Sequence, residues 1–139
     1  MPLSKFKIGH IDHVAIRASD PEESIKWYAE VIGLKELRAD AWGDYPVFMV
    51  SGEIGVAIFP TEEKVPITVE KSTLTRIDHF AFRLDNENFL LAQNSFKTSS
   101  ISFQFKDHTY FHSIYLKDPD NHTVELTTLL VDPKYFYKI

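Results

Sequence analysis

Along the chain the apolar positions change their spacing in a regular order. Residues 9–17 alternate apolar and polar and contain Ile and Val, which predicts a strand with Ile11, His13, Ala15 and Arg17 on one face. The next stretch, Asp20-Pro21-Glu22-Glu23, predicts a helix start: Asp20 can cap, Pro21 suits the first helical position, and Glu23 completes a capping box. Ile25, Tyr28, Ala29 and Ile32 then follow helical spacing, and Gly33 stands where a glycine ends a helix. Three short strands are expected at about 34–40, 45–51 and 54–60, with turns at Gly43-Asp44 and Gly52-Glu53.

The second half repeats this order. Ile11-Asp12-His13-Val14-Ala15-Ile16-Arg17 returns 66 residues later as Ile77-Asp78-His79-Phe80-Ala81-Phe82-Arg83, with five of seven positions identical and both changes apolar for apolar. Two copies are too few for a solenoid and point to a duplicated module. A strand at about 76–84, a less cleanly patterned helix at about 86–97, and strands at about 101–106, 110–117 and 122–130 complete the second copy. Asp118-Pro119-Asp120-Asn121 carries strong turn chemistry between the last two strands. The expected class is α+β: one domain over residues 1–139 built of two βαβββ modules, about 8–60 and 76–130, with a linker at 61–75 and a tail at 131–139 rich in Tyr and Phe.

Parity singles out three side chains. His13 and His79 hold the same place in the two copies, so a pseudo-twofold pairing of modules would aim both imidazoles into one cavity. In the last strand Thr123, Glu125 and Thr127 share a face, and a carboxylate there is unfavourable against apolar packing unless it is paired or ligated. Two imidazoles and one carboxylate form a facial triad that suits Fe(II), Mn(II) or Zn and leaves positions open for substrate. A lone His on a strand is more often a hydrogen-bonded structural residue than a ligand; the repetition is what favours a site. Asp12 and Asp78 take the opposite parity and are expected to be solvated or paired with Arg or Lys, His10 and His112 to be structural, and His122 to make a backbone hydrogen bond at the turn.

Composition narrows the remaining classes. The chain is 44% hydrophobic and 25% charged, which is ordinary for a globular fold. A net charge of −5 leaves no electrostatic footprint for nucleic acid. With no cysteine there can be no disulfide, thiolate metal site, iron–sulfur cluster or cysteine nucleophile. No stretch has the length of a signal sequence core or a membrane span, so a cytoplasmic protein without membrane partners is expected. Glycine-rich phosphate loops, a nucleophile elbow and a zincin helix motif are absent, so any chemistry must be assembled by the fold.

His10-Ile11-Asp12-His13-Val14-Ala15-Ile16, the helix end Trp27-Tyr28-Ala29-Glu30-Val31-Ile32-Gly33-Leu34, and the run from Tyr115 to Leu126 resemble the vicinal oxygen chelate superfamily. That group includes glyoxalase I, methylmalonyl-CoA epimerase, extradiol ring-cleaving dioxygenases, fosfomycin-modifying enzymes and bleomycin-sequestering proteins. The resemblance covers roughly residues 8–130 and implies a curved mixed sheet around a metal-centred cavity. The superfamily's four ligand places fall on His13, Ala57, His79 and Glu125; alanine cannot ligate, so the set His13, His79, Glu125 is similar to that of the dioxygenases and fosfomycin enzymes. Both have a functional tyrosine at the place of Tyr115, which is the expected catalytic residue.

The resemblance further implies one divalent metal ion, Fe(II) first and Mn(II), Zn or Ni as the other candidates, a small-molecule substrate chelated through vicinal oxygens, and a homodimer. An extradiol-dioxygenase-like enzyme is the leading expectation. Fosfomycin-type nucleophile addition, or a protein that sequesters an aromatic ligand, are the alternatives. Phe48, Phe59, Phe82, Phe103, Phe105 and Phe111 favour a flat or apolar substrate. Arg17, Arg83 and Lys134 are the candidate cations for an anionic one, and His108 is a candidate neighbour of the site.

Overall fold

The computed structural model describes residues 5–62 and 75–139 and divides the chain into two units, Met1–Lys64 and Val65–Ile139. The linker expected at 61–75 lies mostly outside the described residues. Each unit is a βαβββ module with its own four-stranded mixed sheet, as the repeat predicts.

In the first unit the order is β1 (His13–Ala18), α1 (Pro21–Trp27), β2 (Lys35–Leu37), β3 (Val47–Ser51) and β4 (Ile54–Pro60), arranged β1-β4-β3-β2. β1 runs parallel to β4 and the other pairs are antiparallel. The Asp20 side chain accepts a hydrogen bond from the Glu23 amide at 3.2 Å, and Pro21 opens the helix. The helix continues as a π-helical turn over Tyr28–Ile32, and Gly33 ends it with a left-handed φ of 82°. β2 is shorter than expected because a 3-10 turn at Asp40–Trp42 interrupts the stretch. Ile16, Ala18, Val47, Met49, Val56 and Ile58 are buried with Ile25 and Tyr28 of the helix side. The opposite sheet face, carrying His13 and Ala57, is therefore the one not used by the helix.

The second unit contains β5 (Phe80–Arg83), α2 (Asn86–Thr98), β6 (Gln104–Asp107), β7 (Phe111–Lys117) and β8 (Thr123–Leu129), in the order β5-β8-β7-β6. α2 forms despite its weak pattern. Asp85 caps it by accepting from the Asn88 amide at 2.8 Å, and Phe89 and Phe96, two turns apart, are both buried. They join Ile114, Leu116, Val124 and Leu126 in the core, and Thr128 donates to Asn86 Oδ1 at 2.7 Å to tie β8 to the helix start. The tail is not a plain extension: residues Pro133–Tyr137 form a short helix, α3, capped by Asp132.

Candidate metal-binding site

The ladders of the second unit put the chemistry on one face. β5 and β8 pair Ala81 with Glu125, and β7 and β8 pair Tyr115 with Glu125 and Ser113 with Thr127. Side chains in register share a face, so Glu125 and Tyr115 point away from the helix. Glu125 is buried, and His79, just before β5, brings Nε2 to 3.3 Å from Glu125 Oε2. The His79 and Tyr115 rings meet edge-on with centroids 5.8 Å apart. Two of the three expected metal donors and the expected catalytic tyrosine thus converge within this unit. Burial and a hydrogen bond to the Glu125 carboxylate push the Tyr115 phenol up to about 12.

His108 reaches this group from the β6–β7 loop. Thr109 adopts a left-handed φ of 69°, with its amide donating to Asp107 Oδ1, and the chain reverses so that His108 stacks on Phe111 at 4.7 Å. His108 Nε2 then lies 2.8 Å from the Tyr115 hydroxyl. The cavity over this face, about 860 Å³, is lined by His79, His108 and Tyr115 and by two cations, Lys106 and Lys117. Lys117 follows from parity with Tyr115. Lys106 does not, because only the pairing of Lys106 with Ser113 shows which side of the β6 edge it takes. Phe105 pairs with Ile114 and takes the other side of the sheet, although it also borders the cavity.

The first unit presents the counterpart. Its parallel ladder pairs Ala15 with Ala57 as the second unit pairs Ala81 with Glu125, so Ala57 holds the place of the glutamate and offers no donor. His13 sits at the head of β1 with Phe48 against its ring at 5.0 Å. Asp12 Oδ2 lies 2.7 Å from His13 Nδ1, and Asp78 Oδ2 lies 2.7 Å from His79 Nδ1. Asp78 also accepts from Arg76 at 3.0 Å, the Arg partner anticipated for it. The His79 hydrogen bond, with the nearby Arg76 charge, holds the Asp78 carboxyl below its ordinary range. Of the other candidate cations, Arg17 donates to the Pro60 carbonyl at 3.0 Å and lies over Phe59, and Arg83 lies 5.9 Å from the Tyr137 ring centroid. The His122 ring, expected to bond backbone at the turn, pairs with a side chain instead: its Nδ1 lies 2.8 Å from the fully buried Asp118 carboxylate, which also accepts from the His122 amide at 2.8 Å.

The donors of the second unit fit a divalent cation. A His79 ring that donates its Nδ1 hydrogen to Asp78 would turn an Nε2 lone pair to a carboxylate oxygen. Two acceptors at that distance repel unless a cation or proton stands between them, and 3.3 Å is a separation spanned by two ligands that share one ion at about 2.1 Å each. Among the described residues no three His, Cys, Asp or Glu side chains gather as a metal-holding group.

Residues 10–126 match the family model of the Glyoxalase/Bleomycin resistance protein/Dioxygenase superfamily, and the chain belongs to that superfamily. Among characterised relatives it is 26% identical over 137 residues to metallothiol transferase FosB of Staphylococcus epidermidis, covering 96% of this chain and 92% of that one. It is 22% identical over 116 residues to glutathione transferase FosA of Serratia marcescens, covering 84% and 78%. The fold is that of a glyoxalase/dioxygenase from Nostoc punctiforme (TM-score 0.78, 20% identity, 94% and 98% of the two chains). It is also that of the fosfomycin resistance protein FosX from Mesorhizobium loti (TM-score 0.65, 23% identity, 94% and 99%). Among the described residues no helix is long and apolar enough to cross a membrane.

Proposed function

We propose that the protein is a metal-dependent enzyme that adds a nucleophile, such as a thiol, to a small electrophile bearing an oxyanion. His13, His79 and Glu125 are its metal ligands and Tyr115 its catalytic residue. The observation that carries this reading is a cavity lined by His79, Tyr115 and the cations Lys106 and Lys117, with Glu125 3.3 Å behind the His79 ring. The two transferases among the relatives support the same direction. A divalent ion would act as a Lewis acid on a substrate oxygen. The lysines attract and hold the anionic group. Tyr115, protonated at neutral pH, donates a hydrogen bond to substrate oxygen and supplies a proton as the carbon–oxygen bond opens.

A second reading, the ring-cleaving dioxygenase, draws on a different observation: His108 hydrogen-bonded to Tyr115 beside the cavity, the kind of second imidazole that such chemistry uses. One experiment separates the two. Metal-free protein is loaded in turn with Mn(II), Ni, Zn and, without oxygen, Fe(II). Each form is then assayed for thiol consumption with fosfomycin and for oxygen uptake with a catechol panel. Metal-dependent thiol consumption supports the first reading, and Fe(II)-dependent oxygen uptake replaces it with the second. Binding of an aromatic ligand without turnover in any form replaces both with sequestration. The proposed working form is a cytoplasmic homodimer in which exposed Tyr135 and Tyr137 contribute to the contact. Light scattering should show a dimer, weakened by deleting residues 133–139; a monomer at micromolar concentration refutes it.

A further inference from the structure

Strand parity assigns Asp12 and Asp78 to the face opposite the histidines, yet both turn back to them. β1 begins at His13, and the β5 ladder begins at Phe80, so each aspartate stands at the head of its strand, although the Asp12 carbonyl still accepts from the Gly55 amide at 3.1 Å. In both units the carboxylate meets Nδ1 of the next residue at 2.7 Å. The two contacts lie 66 positions apart in sequence, in units with separate sheets, and reproduce one geometry. The aspartate side chains are 73% and 70% exposed, so neither pair gains much stability from its charge.

What each contact does change is the ring. A carboxylate at Nδ1 favours the tautomer with its hydrogen there and leaves Nε2 as a lone-pair donor. In the second unit that Nε2 is the atom facing Glu125, 3.3 Å away. We propose that Asp12 and Asp78 are positioning residues that hold His13 and His79 in the Nδ1–H tautomer and present Nε2 as the metal donor on the open face of each sheet. The part that concerns the metal rests on the ligand assignment above; the part that concerns the tautomer does not.

The test begins with metal-free protein at about pH 8. Long-range proton–nitrogen NMR should report Nδ1–H for His13 and His79. Asp78→Ala should shift the His79 ring toward Nε2–H and leave His13 unchanged, and Asp12→Ala should do the reverse. Both sites are exposed, so melting temperature should hold. Asp78→Asn, which keeps an acceptor oxygen without the charge, should retain the tautomer. Competition with a chromophoric chelator for Zn should show each alanine variant about 10–100-fold weaker, with the asparagine variant between. An Nε2–H ring in the wild type, or a ring unmoved by loss of its aspartate, overturns the proposal. A changed tautomer with Zn affinity within twofold of wild type overturns its metal part. Wild-type protein that binds none of the metals refutes the ligand assignment instead, and the NMR result then decides the positioning role alone.

Discussion

Tyr115→Phe removes one oxygen and keeps the ring, so its effects can be worked out from few contacts. The hydroxyl bonds His108 Nε2 at 2.8 Å and the Glu125 carboxylate. Loss of these leaves a half-buried imidazole and a buried carboxylate each short of a partner, which costs about 1–3 kcal/mol. For a chain of 139 residues that lowers the melting temperature by roughly 3–10 °C. With a phenol pushed up to about 12, only about one molecule in 10⁵ carries a phenolate at pH 7, so Tyr115 serves as a donor rather than a base. Removing a proton donor used in the transition state should lower kcat by about 10²-fold or more, with KM and metal content nearly unchanged. Ultraviolet difference titration of wild type and variant should show one tyrosine ionising near 12 that disappears in the variant. Turnover within twofold of wild type, in a variant that has lost that tyrosine signal, would refute the catalytic role.

The other predictions concern the frame and the cavity. The Asp118 hydrogen bond raises the His122 pKa above its ordinary 6.5, so its stabilisation is complete below about 6.5 and is lost as pH rises through the folded value. The melting temperature of wild type should exceed that of His122→Gln most at about pH 5.5 and the gap should narrow by about pH 8; a pH-independent gap refutes the linkage. Gly55→Ala would set a Cβ 2.5 Å from the Met49 carbonyl oxygen, which is backbone and must move, so urea unfolding should show a loss of about 1–3 kcal/mol. Lys106→Met and Lys117→Met should each weaken binding of a small oxyanion, read by calorimetry, about three- to fivefold at low salt and less at high salt, with Zn affinity unchanged. Equal oxyanion affinity in all three proteins would remove the lysines from the site.

Much of the architecture was legible in the chain because it depends on local chemistry. The Asp20 and Pro21 start, the Gly33 stop and the period-two strands act within a few residues of themselves, and the repeat of Ile-Asp-His reported two modules of one design. Parity within a strand singled out His79 and Glu125, and the family resemblance singled out Tyr115; the ladders bring the three to one part of the second unit. What tertiary structure alone decided is whatever depends on register between strands or on a loop's path. Lys106 faces the cavity because it pairs with Ser113, and His108 reaches Tyr115 because Thr109 takes a left-handed turn. Asp12 and Asp78 stand at the heads of their strands and bend back to the histidines, which strand alternation does not foretell. A one-residue change of register inverts a strand's faces while leaving its composition and pattern untouched, so long-range pairing holds information that no window of sequence contains.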